Sequence, residues 1–157
     1  MKKMTQANLE AAYSGESQAH MKYLIFAEQA EKEYPSLARL YRAIAFAEQA
    51  HATNHFRALG HLGSVPDNVQ IAIDGETFEV EEMYPAYLEV AKLQEEKAAE
   101  RSAGWALDAE KDHIVLYRRA QESVKNGTDP RFGTVYVCPV CGYTVEGEAP
   151  DACPICR

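Results

Sequence analysis

Apolar and small residues recur at steps of three and four over most of the chain. In the opening segment, about Thr5 to Glu33, they fall at Leu9, Ala12, Ala19, Tyr23, Phe26 and Ala30, the spacing of one face of an α-helix. Thr5 is the expected N-cap. Tyr34-Pro35-Ser36 breaks the pattern, and Ser36 can cap a second helix that runs to Leu62, with Leu37, Tyr41, Ile44, Phe56 and Leu59 on the stripe and Gly63 as its stop. Residues 63–73 read as a polar link, too long for a tight hairpin and suited to a crossover along a bundle. Asp74-Gly75 opens a third pattern that runs to Gln94 and carries Val80, Met83, Tyr87 and Val90. A fourth, Lys97 to Lys125, carries Trp105, Ala106, Ile114, Tyr117 and Val124, and Asn126-Gly127-Thr128-Asp129-Pro130 ends it. From Gly133 the texture becomes Tyr/Val-rich and turn-rich. The pattern predicts an all-α fold: a four-helix bundle with one long crossover over residues 1–131, then a small appended domain over 132–157.

Composition narrows the function classes. With 157 residues and 46% apolar content the chain can build one good core. Its net charge of -8 argues against nucleic acid and against anionic membrane surfaces as partners. No apolar run approaches membrane-spanning length and no secretory leader is evident, so a cytoplasmic location is the default expectation. All four cysteines lie near the end, at Cys138, Cys141, Cys153 and Cys156. A disulfide framework would spread through the fold, whereas two C-x-x-C pairs in a reducing compartment point to a metal.

The helical stripes also carry acids. FAEQA occurs at Phe26–Ala30 and again at Phe46–Ala50, followed by Glu31 in the first copy and His51 in the second. In the second helix Ile44, Glu48, His51 and His55 continue the inward stripe, so Glu48 and His51 point into the core. In the first helix it is Glu16 that lies on the stripe. Glu28 is twelve residues further on, about 120° around the axis, and reads as a solvated flanking residue. The fourth helix repeats the pair as Glu110 and His113, and the third puts Glu76 and Glu79 on one face. The count is five glutamates and two histidines aimed inward. Burying one unpartnered carboxylate costs several kcal/mol or forces its protonation. Lys22, Arg42 and Lys111 fall off the stripe, so two metal ions are the compensating charge. One Glu from each of two helices and Glu-x-x-His from each of the other two is a known dimetal template. Glu16 and Glu76 are the single donors here, Glu48/His51 and Glu110/His113 the pairs, with Glu48 and Glu110 bridging and Glu79 in surplus. Oxygen ligands with one imidazole per metal suit iron or manganese. His20, His55 and His61 read as packing or surface residues.

In the tail, Cys138-Pro139-Val140-Cys141 and Cys153-Pro154-Ile155-Cys156 form two knuckles able to close a four-thiolate tetrahedron. Zinc in a structural ribbon and a one-electron iron centre both satisfy that pattern.

Together these stretches resemble the rubrerythrin family: G-E-S-Q-A around Glu16, A-E-Q-A-H ending at His51, G-E-T-F-E ending at Glu79 with M-Y-P at Met83 to Pro85, A-E-K-D-H ending at His113, and V-C-P-V-C-G-Y-T-V-E-G-E-A-P-D-A-C-P-I-C in the tail. The resemblance spans nearly the whole chain. It implies a ferritin-like bundle with a non-haem di-iron site of two Fe ions and a C-terminal rubredoxin-like domain holding one Fe through Cys138, Cys141, Cys153 and Cys156. One iron would take Glu16 and either His51 or Glu79 according to oxidation state, the other Glu76 and His113, with Glu48 and Glu110 bridging. Tyr23 and Tyr84 would hydrogen-bond the ligands. The implied activity is a peroxidase that reduces hydrogen peroxide to water in oxidative-stress defence. Its electrons would come from an external rubredoxin or flavin reductase, linked to NADH. The implied assembly is a head-to-tail homodimer or higher homo-oligomer, in which the thiolate iron of one subunit serves the di-iron site of the other. A short Tyr34-Pro35-Ser36 link is also compatible with a helix-swapped dimer. Two competing readings share the residues: a ferroxidase or iron-storage protein, against which the thiolate tail speaks, and a zinc-loaded binding module without turnover.

Overall fold

The computed structural model describes residues 1–157. It comprises helices α1 (Lys3–Ala30), α2 (Pro35–Ala58), α3 (Val65–Phe78), α4 (Tyr84–Leu93) and α5 (Lys97–Lys125), with strands β1 (Val135–Val137) and β2 (Thr144–Glu146) in the tail. A π-helical turn, Glu79–Met83, joins α3 to α4 without a break, so the two make one long third helix. The chain divides into two compact units, Met1–Gly63 and Ser64–Arg157.

The first unit is the α1–α2 hairpin. Its start differs from the expected caps: Lys2 precedes α1, and Tyr34 precedes α2 with Pro35 in the first turn. Proline suits that position because its missing N–H is one that no helix bonds and its φ is already helical. Ser36 therefore lies inside the helix. Helix α2 ends at Ala58 rather than Leu62, and the left-handed stop is Gly60 at φ 75, not Gly63. The residues this hairpin buries are small: Ala27 and Ala30 on α1, and Ala38, Ala45 and Ala52 at heptad spacing on α2. Alanine lets two backbones approach closely, and the His20 Nδ1–H accordingly reaches across to donate to the Ala45 carbonyl at 2.8 Å. Larger apolar residues flank this seam, with Tyr41 stacked on Tyr23 (centroids 6.1 Å apart) and set edge-on to Phe26 (5.6 Å). Leu37 and Ile44, expected in the core, are 39% and 40% exposed.

The second unit begins where the sequence reading had a crossover link. Residues 65–73 are helical. Ser64 and Asp67 form a reciprocal capping box, and Pro66 occupies the first turn. Asp74-Gly75 is therefore helix interior, and the α2–α3 connection is short. The π turn is the other departure. Its Tyr84 N–H bonds the Glu79 carbonyl, five residues back. Pro85 has no N–H to give, and in a regular helix its ring would collide with the carbonyl four residues earlier; a wider turn relieves both problems. The extra residue also rephases the stripe. Tyr87 and Val90, expected inward, are 56% and 51% exposed, while Tyr84, Leu88 and Ala91 turn inward instead. Helix α5 runs over the predicted Lys97–Lys125, and the Gly-free turn before it is made by Glu95 in the left-handed region at φ 60.

In the tail, β1 and β2 pair antiparallel with Val135 opposite Glu146 and Val137 opposite Thr144. This hairpin rests on α5 of the same chain. Arg119 pairs with Glu146 and lies over the Phe132 ring at 4.7 Å, and Glu146 also accepts from the Gly133 N–H.

Candidate functional site

Helical phasing brings the expected ligands together in two groups. In the first unit, Glu16 on α1 meets Glu48 and His51 on α2. The His51 Nδ1 lies 2.9 Å from a Glu48 carboxylate oxygen and 3.9 Å from one of Glu16. Glu48 is sheltered, its side chain 16% exposed, whereas Glu28 in the other FAEQA copy is exposed. The contrast in the repeated phrase is thus real. His51 itself is not buried as expected: its side chain is 55% exposed.

In the second unit, Glu76 on α3 meets Glu110 and His113 on α5. The His113 Nδ1 is 2.5 Å from a Glu110 oxygen and 3.9 Å from one of Glu76. Burial, together with the hydrogen bond and charge of Glu110 and the charge of Glu79, raises the Glu76 pKa to about 8. Glu79 opens the π turn and stands outside the tight triad. Burial, and then the charge of Glu110, raise its pKa. Tyr84 is pushed up by burial and by the charges of Glu79, Glu110 and Glu76. The π turn sets where Tyr84 stands relative to Glu79. At 100° per residue Tyr84 would stand about 140° round from Glu79, and one residue absorbed without rotation brings this back to about 40°. Tyr23 packs in the first unit against Tyr41 and Phe26.

The four cysteines converge from the two knuckles. Sγ–Sγ separations are 3.6 Å for Cys138–Cys156 and 3.5 Å for Cys141–Cys153. A tetrahedron with metal–sulfur bonds of about 2.3 Å has edges of about 3.8 Å, so the thiols fit one ion. The knuckle turns also prepare them electrostatically. The N–H groups of Val140 and Cys141 lower the Cys138 pKa, and those of Cys156 and Ile155 lower Cys153 to about 6. Burial raises Cys141, and burial plus shared protons push Cys156 up to about 12. Four sulfurs at this spacing cannot all ionise unless a cation replaces the protons.

The carboxylate groups pass the same test. Thr144 on β2 donates its hydroxyl hydrogen to the Gly142 carbonyl (2.9 Å) and lies 3.0 Å from the His113 Nε2. With its single hydrogen spent, the hydroxyl accepts from an Nε2–H. The lone pair of a neutral His113 is then left at Nδ1, facing two carboxylates, where a positive charge, either a proton or a metal ion, is favoured. Thr144 was not among the expected site residues. Its only signal was its place directly after Cys141-Gly142-Tyr143, which says nothing about His113. Asp112, inside A-E-K-D-H but not singled out, is half-buried next to His113 with its pKa raised by burial.

An apolar cleft of about 340 Å³ runs beside this contact, between α5 and the tail, lined by Leu116, Tyr117, Ala120, Phe132 and Val135 with His113 and Thr144 at its edge. No helix is long and apolar enough to cross a membrane.

Known proteins agree with this architecture. The Rubrerythrin family model matches residues 7–121, and the model for the rubrerythrin rubredoxin-like domain matches residues 136–157. Rubrerythrin-2 of Clostridium acetobutylicum is 48% identical, with 98% of this chain and 91% of that protein aligned. Nigerythrin of Nitratidesulfovibrio vulgaris is 32% identical over 97% of this chain and 81% of its own. Rubrerythrin of Porphyromonas gingivalis is 30% identical over 97% and 84%. The solved structure of fully reduced, all-ferrous nigerythrin superposes with a TM-score of 0.55, covering 97% of this chain and 81% of that one. The ferritin-like all-α class with a rubredoxin-like tail stands, as do the cofactor sets: Glu/His groups for a di-iron site and four cysteines for a rubredoxin-type iron. Two Glu-x-x-His helices, two partnering glutamates and a closing four-thiolate knuckle pair, matched along almost the full length, establish that the chain belongs to the rubrerythrin family.

Proposed function

We propose that the protein is a peroxidase that reduces hydrogen peroxide to water in oxidative-stress defence, with electrons entering through the four-cysteine iron. The observation that carries this reading is the packing of the thiolate knuckles' strand on the helix bearing Glu110 and His113: an electron-carrying ligand set adjoins a redox-metal ligand set. Iron bound by these carboxylates and histidines would supply the redox chemistry for H2O2 + 2H⁺ + 2e⁻ → 2H2O, and iron bound by Cys138, Cys141, Cys153 and Cys156 would supply one-electron transfer.

The chain's own groups supply the rest. Glu16 with His51 would hold one ion and Glu76 with His113 the other, with Glu48 and Glu110 serving both. Glu79, outside the triad and with a raised pKa, keeps a proton at its carboxyl to higher pH than an ordinary glutamate and can release it as charge at the site rises. Its alternation with His51 as a ligand belongs to this proposal, as does a hydrogen-bonding role for Tyr23. The Tyr84 phenol, held protonated, is a hydrogen-bond donor to the acids beside it. The electron donor is an external rubredoxin or flavin reductase, and the working form is a homodimer.

The test separates relay from chemistry. Cys156→Ser should abolish steady peroxide consumption with a physiological reductant, yet leave one round of peroxide-driven oxidation of pre-reduced protein intact. Steady turnover in the variant would refute the relay. On the same iron-loaded sample, peroxide consumption should exceed oxygen-driven iron uptake; the reverse would favour a ferroxidase.

A further inference from the structure

We infer that Thr144 is a positioning residue for His113, fixing the imidazole so that Nδ1, and not Nε2, faces Glu76 and Glu110. This rests on the metal-holding role proposed for those three residues. The geometry is a directed chain of two hydrogen bonds. The Thr144 hydroxyl donates to the Gly142 carbonyl at 2.9 Å and accepts from the His113 Nε2–H at 3.0 Å. A hydroxyl with its hydrogen committed has no other way to satisfy that ring nitrogen. In a neutral imidazole this leaves Nδ1, the nitrogen that the i,i+3 spacing turns toward Glu110, free for a metal, and a side chain on β2, 31 residues away in sequence, holds it so.

The support is rigid on the tail side. Gly142 has φ 81, a left-handed value natural to glycine, and its N–H donates to the Cys138 carbonyl at 3.0 Å, so the accepting carbonyl is part of the first knuckle. Glu146, two residues past Thr144 on the same face of β2, pairs with Arg119 of α5 and anchors the strand. The consequence is a link between ligand sets within a single chain: Cys141, bonded to Gly142, is joined to His113 through Gly142 and Thr144. Orientation of the imidazole depends on the tail being folded.

Thr144→Val removes the hydroxyl at nearly constant shape; Thr144→Ser keeps it. Zinc(II) is titrated into protein whose four-thiolate set is already filled, and binding is followed by the ring ¹⁵N resonances of His113. The expected result is a 10–100-fold weaker zinc affinity in Thr144→Val, the usual effect of losing a hydrogen bond that orients a metal-binding histidine, and near-native affinity in Thr144→Ser. Unchanged affinity in Thr144→Val overturns the inference. Should that variant not fold, the unmodified protein decides: zinc-loaded His113 must carry its proton on Nε2, and a proton on Nδ1 overturns the inference. Zinc is redox-inert, so these outcomes are independent of whether the iron-loaded protein reduces peroxide; failure of the peroxidase reading would leave them untouched.

Discussion

At the residue scale, the decisive quantity is the charge balance of sheltered acids. Glu76 keeps its proton to a pH of about 8 in the folded, metal-free protein, whereas in the unfolded chain it releases it near the ordinary 4.5. Between these values the folded state binds more protons than the unfolded one, so stability falls as pH rises. Metal-free protein should accordingly show a melting temperature that declines from pH 5 to pH 8, and Glu76→Gln should flatten the decline. Metal competes with the same proton, so loaded protein should not decline over that window. Calorimetry of both forms at a series of pH values checks this; a Tm of the metal-free protein that rises with pH would contradict it. Glu28 and Glu48 make the complementary point: identical local sequence, one acid on the surface and one sheltered beside His51, distinguished in advance by helical phase alone.

At the element scale, two features escaped the periodicity. The start of α3 is set by a capping box between Ser64 and Asp67. Ser64→Ala should therefore cost about 1 kcal/mol and lower Tm by about 2–4 °C, and a thermal melt showing no loss would mean that Pro66 alone starts the helix. The reading of residues 63–73 as a link failed because Gly63, Pro66, Asp67 and Asn68 are turn-formers in isolation; in context Pro66 and Asp67 are first-turn residues of a helix. The π turn at Glu79–Met83 was invisible for a different reason. An apolar stripe extrapolated at constant pitch passes through Tyr87 and Val90, and a single absorbed residue moves it to Tyr84, Leu88 and Ala91. That shift is what carries a tyrosine to the acids.

At the scale of the whole molecule, the tail depends on its metal. Residues 132–157 have two three-residue strands and no core of their own, so four thiolates around an ion must supply most of their stability. Stripping metal from the cysteines should raise hydrogen exchange across residues 133–157 to near-unfolded rates while the middle of α5 stays protected; a tail that remained protected would show that its contacts with Arg119 suffice. The sequence by itself pointed to the candidate ligands, because their chemistry is written in residue type and spacing: Glu-x-x-His at helical pitch and paired Cys-Pro-x-Cys knuckles. It also determined where α5 ends, at the stop signals Asn126 and Gly127. Only the tertiary structure decided how Tyr84 comes to the acids and which side chain satisfies the far nitrogen of His113. Both depend on contacts between positions with no fixed sequence separation: a helix widened around a proline, and a strand of the tail laid against α5. Periodicity reports one element's faces, and it is blind to what another element brings to them.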